Sequence, residues 1–352
     1  MSTRLHRVCA TARNGVLVDA WYAEALRPFG AIGIDEAIAA RFAAPCAWLA
    51  RRSTAIRGLL WFAVSRKAER VVCPFSAPGL LVFLTLHRLF SPHPPGLFLV
   101  EFLRGEPRSA WARAKEFVHT RLFRTLLPPM LCGAQVMTGW EASAYAKKYE
   151  LPQSLFTFIA FPMVLHPGES LPAQAPAAEM VLSSGRAACD WPTLMAAAQD
   201  ADWPLTIVCS SEDRATVDAL NRSGRARVLS EISHQEHQQL LSQATVYALV
   251  LREQRASSGQ VRLARAIESG VPVVATAVLG LDGYVEDGCT ALAVPVGDAA
   301  RLRAAIDTLW NDSARRTQLR HRAHSAMHDR SLAAYTERIR AFVNAEPHMH
   351  TP

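Results

Sequence analysis

Lysine is scarce in this chain. Of 38 basic residues 34 are arginine, and the stretch from 179 to 352 contains no lysine at all. Cysteine pairs are missing too. The seven cysteines at 9, 46, 73, 132, 189, 209 and 289 form no C-x-x-C, and an odd number scattered among apolar residues fits reduced thiols, arguing against a zinc site or disulfide framework. No long apolar run occurs. The longest, Gly79 to Leu86, is broken by His87 and Arg88, and is about a third to a half of what spans a bilayer. The opening MSTRLHRVCATARNGV has no uninterrupted apolar core, so no signal peptide is expected. Carboxylates or cysteines at a ligand spacing do not accompany His234, His237 or the tail histidines (321, 324, 328, 348, 350), and neither a metal nor another cofactor is expected.

What is present is the composition of an ordinary globular protein, 50% hydrophobic and 20% charged, in 352 residues, enough for two domains. Charge is uneven. Residues 1–178 hold 20 Lys and Arg against 11 Asp and Glu, while 179–352 hold 18 against 20, which together give the net +7. A basic first half fits an anionic partner, such as a phospholipid surface, a lipid diphosphate or nucleic acid; the arginine bias alone offers a plainer origin.

The clearest break is 166–178, HPGESLPAQAPAA, which reads as a linker. It separates a domain at 1–165 from one at 179–327, followed by a C-terminal helix and tail at 328–352 that is expected to cross back to the first domain. After the linker, continuous apolar strands (Met180–Ser183, Leu205–Cys209, Ala226–Leu229, Val246–Leu251, Val271–Thr276, Ala291–Val294) alternate with helical stretches of about ten residues, as βα units on a parallel sheet do. The first half is α/β as well from Val71 onward, with strands near 71–74, 97–102 and 134–138 and helices near 78–90, 110–127 and 141–149. Before residue 70 the pattern is mostly helical, and no first strand with a glycine-rich turn is placed.

Three segments carry chemistry. Val181–Arg186 (VLSSGR) is a strand running into a turn where Gly185 admits a ligand to the backbone and Arg186 is placed for a diphosphate. Arg255–Gln260 (RASSGQ) leads into a helix, with Ser257 and Ser258 as candidate N-caps and free amides near Gly259 and Gln260 as an anion site. Ala266–Thr276 (AIESGVPVVAT) is a helix end, a C′ glycine and a buried strand.

In order and spacing, SGR, SSGQ…ARAIESGVPVVAT, GYVEDGCTALAVPVGD and LRAAIDTLWND resemble the C-terminal domain of GT-B glycosyltransferases, and in particular the retaining group called glycosyl transferases group 1. AQVMTGWEASAYA (134–146) resembles the end of their acceptor domain, so the resemblance covers about 134–345. It implies an α/β GT-B fold of two Rossmann-like domains facing each other across a cleft. It also implies a sugar moved from a nucleotide diphosphate to a saccharide or lipid-linked acceptor, in cell-envelope or exopolysaccharide biosynthesis. Such an enzyme is cytoplasmic or peripheral at the inner face of the membrane, and nucleic acid is not expected as a partner.

The donor would be held by Gly185, Arg186, Arg255, Ser257, Ser258, Gly259, Gln260, Arg265, Gly280 and Tyr284, with the base near 231–234, and no metal is needed where helix N-termini and cations offset the leaving diphosphate. Two departures stand out. The lysine expected shortly after the SGR arginine is absent, and the ribose-binding glutamate is replaced by Arg265, which cannot accept a hydrogen bond. Arg252, Arg255 or Arg265 would then supply the missing cation. A catalytically inactive GT-B partner or scaffold of an active transferase is the alternative; a nucleotide-sugar epimerase is disfavoured, since no paired carboxylates are found.

In the first half, Glu101 follows the strand LFLV, with Arg104, Glu106 and Arg108 nearby. It is either the catalytic base or acceptor-orienting carboxylate, or part of a solvated loop. Residues 111–124 place Trp111, Val118 and Leu122 near one face of a helix rich in Arg and Lys. That helix either packs on its own sheet, the plainer reading, or lies on anionic lipid.

Overall fold

The computed structural model describes residues 15–345 apart from 20–21, 24–25, 106, 108, 163–170 and 172–178. The expected linker therefore lies almost wholly outside the described residues, as do Glu106, Arg108 and the tail from 346. The chain divides into two compact units, 1–159 with 336–352, and 160–335.

The first unit is built on a six-stranded parallel sheet: β1 (Gly15–Val18), β2 (Ile32–Gly33), β3 (Ala68–Pro74), β4 (Gly96–Val100), β5 (Leu131–Val136) and β6 (Phe156–Phe158), in the order β2-β1-β3-β4-β5-β6. Between them run helices α1 (Ile34–Arg41), α2 (Ala44–Arg52), α3 (Thr54–Ser65), α4 (Leu80–Phe90), α5 (Ala110–Leu126) and α6 (Gly139–Tyr149). From β2 onward every crossover moves the same way along the sheet. Right-handed connections then set α1 to α6 on one face, and neighbours in the row α3, α4, α5, α6 pack on one another. The strand residues facing them, among them Val71, Cys73, Leu97, Leu99, Ala134 and Val136, share one core with Trp61, Phe83 and Phe123. The alternate residue Phe98 points to the opposite face, where Phe342 meets it edge-on at 5.5 Å. The first strand escapes the sequence because GVLV is only four residues long and no periodic stretch surrounds it.

The second unit carries β7 (Val181–Gly185), β8 (Leu205–Cys209), β9 (Ala226–Ser230), β10 (Val246–Leu249), β11 (Val273–Thr276) and β12 (Leu292–Val294), all parallel, in the order β12-β11-β10-β7-β8-β9. Its helices are α7 (Trp191–Ala198), α8 (Ser211–Leu220), α9 (His234–Gln243), α10 (Gln260–Glu268), α11 (Ala299–Asn311) and α12 (Ser313–Met327). The final helix α13 (Leu332–Asn344) begins in this unit, and its residues from 336 belong to the first.

Both faces of this sheet are covered. Leu182, Tyr247, Leu249, Val273 and Ala275 pack under α9, α10 and α12, and Val181, Ile207, Val246, Ala248 and Val274 under α7, α8 and α11. Burial on both faces is why these strands read as unbroken apolar runs. The strand order reverses between β7 and β10, so this is a doubly wound sheet whose ligand crevice opens at the carboxyl ends of those two strands.

Candidate active site

Three of the five non-glycine residues at positive φ among the described residues follow the carboxyl end of a strand. Glu101 after β4, Ala188 after β7 and Glu231 after β9 are non-glycine residues at φ 47°, 58° and 51°. Such positions cost free energy and persist where the surroundings over-determine them, often at functional sites.

In the second unit a cleft of about 320 Å³ opens beyond β7, β8 and β9, lined by Ser184, Gly185, Arg186, Cys209, Glu231 and His237 among others. Arg186 does reach this cleft, but as half of an ion pair. One of its guanidinium nitrogens donates to Glu231 at 3.1 Å, while the second carboxylate oxygen accepts from the Ser211 amide at the start of α8. Deeper in, His237 Nε2 and the Tyr247 hydroxyl each lie 2.9 Å from Ser184 Oγ. Burial, helped by the neighbouring His234, lowers the His237 pKa and favours the neutral ring.

The cation that sequence reasoning passed over is Arg262. It extends from the first turn of α10 to the end of β7, donating to the carbonyls of Ser184 (3.0 Å) and Ala187 (2.9 Å) and to Cys189 Sγ (3.2 Å). These acceptors are all uncharged. Gly185 is glycine because the guanidinium lies over its Cα: a Cβ there would be 2.9 Å from Cζ and 2.5 Å from Cys189 Sγ.

The placement also runs against the helix dipole, whose positive end disfavours a cation by about 0.3–1 kcal/mol. The neighbouring helices of the unit begin with acids or side-chain caps: Asp190 for α7, Ser210 with Glu212 and Asp213 for α8, Ser233 with Glu236 for α9, and Asp298 for α11. α10 has neither. Its N-cap is Gly259 at φ 95°, which has no side chain to cap the first amides, and no acid occupies its first turn. A half-buried arginine and the N-terminus of α10 at one switch point attract an anion.

The cap position of α10 falls on neither of the candidate caps Ser257 and Ser258. The left-handed turn at Gly259 places Gly259 itself at the cap position, and Ser258 Oγ instead accepts from Gln254 Nε2 at 3.0 Å. The two loops after β10 and β11 are fastened together. The Gln260 side chain is buried and donates to the Gly280 carbonyl at 2.6 Å, and Glu253 accepts from the Leu279 amide at 3.3 Å. Gly280 approaches so closely that a Cβ would be 2.8 Å from the Ala256 carbonyl oxygen.

Tyr284 is buried, with its hydroxyl accepting from the Phe161 amide at 2.7 Å and Arg330 over its ring at 5.1 Å. Arg265 pairs with Glu268 one turn along α10 at 2.9 Å, and Arg255 is exposed on the loop before the helix. The structure thus groups Gly185, Arg186 and, through Gln260 and Ser258, the Gly259–Gly280 region around the switch point, while Arg265 and Tyr284 are engaged elsewhere.

In the first unit Glu101 ends β4. Its carboxylate accepts from the Tyr22 hydroxyl at 3.0 Å, and its amide donates to the buried Gln135 side chain at 2.6 Å. Gln135 in turn donates to the Ile159 carbonyl at 2.8 Å. Arg104 is turned away, toward Glu116 at 3.7 Å and the Phe75 ring at 4.9 Å. Glu101 is therefore held by Tyr22 and Gln135 and not by Arg104. Tyr22, 79 residues away, could not be paired with it from sequence.

Residues 188–312 match the family of glycosyl transferases group 1. No curated protein matches the sequence. Among solved structures, the chain is similar to sucrose-phosphate synthase from Thermosynechococcus elongatus (TM-score 0.66, 17% identity, 93% of this chain and 97% of that one). It is also similar to Anabaena HepE in complex with UDP-glucose (TM-score 0.61, 14% identity, 93% and 98%). A third is Staphylococcus aureus TarM (TM-score 0.58, 13% identity, 80% and 56%), so the chain spans little more than half the length of that protein. The two doubly wound units have the GT-B fold, and the second carries the group 1 signature.

Proposed function

We propose that this chain, GT-B in fold and similar in its second unit to glycosyl transferases group 1, moves a sugar from a nucleotide diphosphate to a saccharide or lipid-linked acceptor. Its setting would be cell-envelope or exopolysaccharide biosynthesis, with the chain cytoplasmic or peripheral at the membrane's inner face. The carrying observation is Arg262, set against the dipole of α10 and bonded only to neutral acceptors at the end of β7. A diphosphate there turns an unfavourable pair of positive charges into an attractive one. Arg262 would take the part of the absent lysine, and Arg186 would join it once the diphosphate competes with Glu231. The amides from Gly259 onward and the loop pinned by Gln260 and Gly280 complete the cradle, with Arg255, Ser257 and Ser258 beside it. Glu101, held by Tyr22, would act on the acceptor hydroxyl as base or orienting group. HepE and TarM, which were solved with UDP-glucose and UDP respectively, support a nucleotide-sugar donor.

One observation favours the inactive-scaffold reading: the Glu231 carboxylate stands 3.1 Å from Arg186 in the cleft and would repel a diphosphate. Thermal unfolding with UDP-, GDP- and ADP-sugars separates the two. At a hundredfold excess over Kd, a bound donor raises Tm by roughly 5–10 °C, and Arg262→Ala removes the shift. No shift with any nucleotide at millimolar concentration would leave the scaffold.

A further inference from the structure

On the helical face of the first unit, hydrophobic side chains that ordinarily pack inward are turned out. Trp111, Val118 and Leu122, which helical spacing sets near one face of α5, are turned away from the sheet on which the helix packs. Trp111 is 73% exposed and Val118 and Leu122 are exposed with it, while Phe123 and Leu126 make the core contacts. Phe117 (61%) and, on the neighbouring α4, Phe90 (63%) are exposed as well, and so is Trp48 (47%) on α2. Among the described residues no aromatic ring of the second unit is similarly exposed.

Cations sit on these rings: Arg52 over Trp48 at 4.2 Å, Lys115 over Trp111 at 5.5 Å and Arg121 over Phe117 at 5.0 Å. Helices α2 to α5 together hold eight Lys and Arg, of which Arg57 pairs with Asp19 and Asp35 and Arg124 with Glu150, and a single acid, Glu116, which is itself paired with Lys148 at 2.5 Å. Between α4 and α5 the surface dips into a mostly apolar hollow of about 470 Å³, lined by Leu81, Trp111, Lys115, Val118 and Leu122.

We infer that the α2–α5 face docks on an anionic phospholipid surface, with the aromatic and leucine side chains entering the headgroup–acyl boundary and the arginines and lysines meeting lipid phosphates. Nucleic acid would use the cations but leave the apolar side chains idle. A lipid interface uses both, because amphipathic rings favour that depth and each nearby cation is attracted to anionic lipid. This inference extends the membrane-peripheral part of the proposed function and is independent of the donor site, so either can fail alone.

The test is co-sedimentation of the full chain with vesicles of phosphatidylglycerol and phosphatidylcholine in equal parts, and with phosphatidylcholine alone. Binding is expected on the anionic vesicles only, and it weakens as salt is raised through the physiological range. Lys115→Glu with Arg121→Glu lowers it roughly tenfold or more. Trp111→Ser with Phe117→Ser lowers it as well while leaving the melting temperature at or above the parent value, since both side chains are exposed. Four results overturn the inference: no sedimentation with anionic vesicles, equal binding to neutral ones, binding unchanged in both variants, or a concentration-dependent dimer that both variants abolish without vesicle binding.

Discussion

The guanidinium of Arg262 fills the volume that a Cβ on Gly185 would need. A residue of the first turn of α10 thereby closes over the last residue of β7, and the two segments that define the switch point are fixed by one side chain. Gly185→Ala must displace it. The expected result is a loss of nucleotide-diphosphate affinity comparable to that of Arg262→Ala, about 10- to 100-fold for a charge-assisted hydrogen-bonding cation. Affinity for the parent nucleoside, which lacks the diphosphate, should be unchanged. Calorimetric titration of both variants checks this, and an alanine at 185 that leaves diphosphate affinity intact would show that Arg262 is not the anchor.

Glu101 offers a separate kinetic test. Tyr22 and Gln135 fix its carboxyl group and backbone from two directions, so a substitution preserving shape isolates the charge. Glu101→Gln is predicted to lower kcat about 10²- to 10⁴-fold, as removal of a general base does, with donor affinity within twofold of the parent. Tyr22→Phe, which keeps the carboxylate but loses one hydrogen bond, is predicted to have an intermediate effect. Equal kcat in parent and Glu101→Gln would reduce the residue to scaffolding.

How much of this could be read in the residues depends on how local the cause is. The second sheet was legible because its strands are buried on both faces and its helices are short and well punctuated; Leu205–Cys209 is strand β8 to the residue. The turns at the end of β7 and the start of α10 were legible as well, since glycine and serine mark tight turns. Which arginine is committed to a carboxylate was not. Arg186 and Arg265 both looked free, and each has an acidic partner, Glu231 45 residues away and Glu268 three residues on. For Arg262 the local signal is faint, an arginine in an acid-free first turn. Which face of α5 meets the sheet was not legible, because its apolar residues recur at helical spacing all round it and only packing shows which of them face inward.

Gln260 makes a structural prediction. Its amide donates to the Gly280 carbonyl from a buried position, tying the loop after β10 to the loop after β11. Gln260→Ala strands that carbonyl and leaves a small void, with an expected cost of about 1–3 kcal/mol in urea unfolding of the chain. Because the two loops then move independently, donor affinity is predicted to fall as well. Destabilisation without any loss of affinity would mean that the cradle does not depend on the tie.

His87 supplies a pH test unconnected with the active site. The ring is buried between α3 and α4, with Nε2 2.8 Å from Ser65 Oγ, Nδ1 2.9 Å from Ser91 Oγ and the rings of Phe62 and Phe83 edge-on at 4.8 and 4.7 Å. Burial above all, with the Arg66 charge adding to it, lowers its pKa from 6.5 to about 4. Above pH 6.5 the ring is neutral folded and unfolded, so it contributes no pH dependence. Between 6.5 and 4 the unfolded chain takes up a proton that the folded chain refuses, and stability falls by up to about 1.4 kcal/mol per pH unit. Below 4 both states are protonated and the loss levels off. His87→Gln keeps a donor and an acceptor without the titration, so its stability gap to the parent is expected to narrow by about 2 kcal/mol between pH 7 and pH 5 in urea unfolding. A gap that stays constant over that interval would mean that the folded protein protonates His87 as readily as the unfolded chain does.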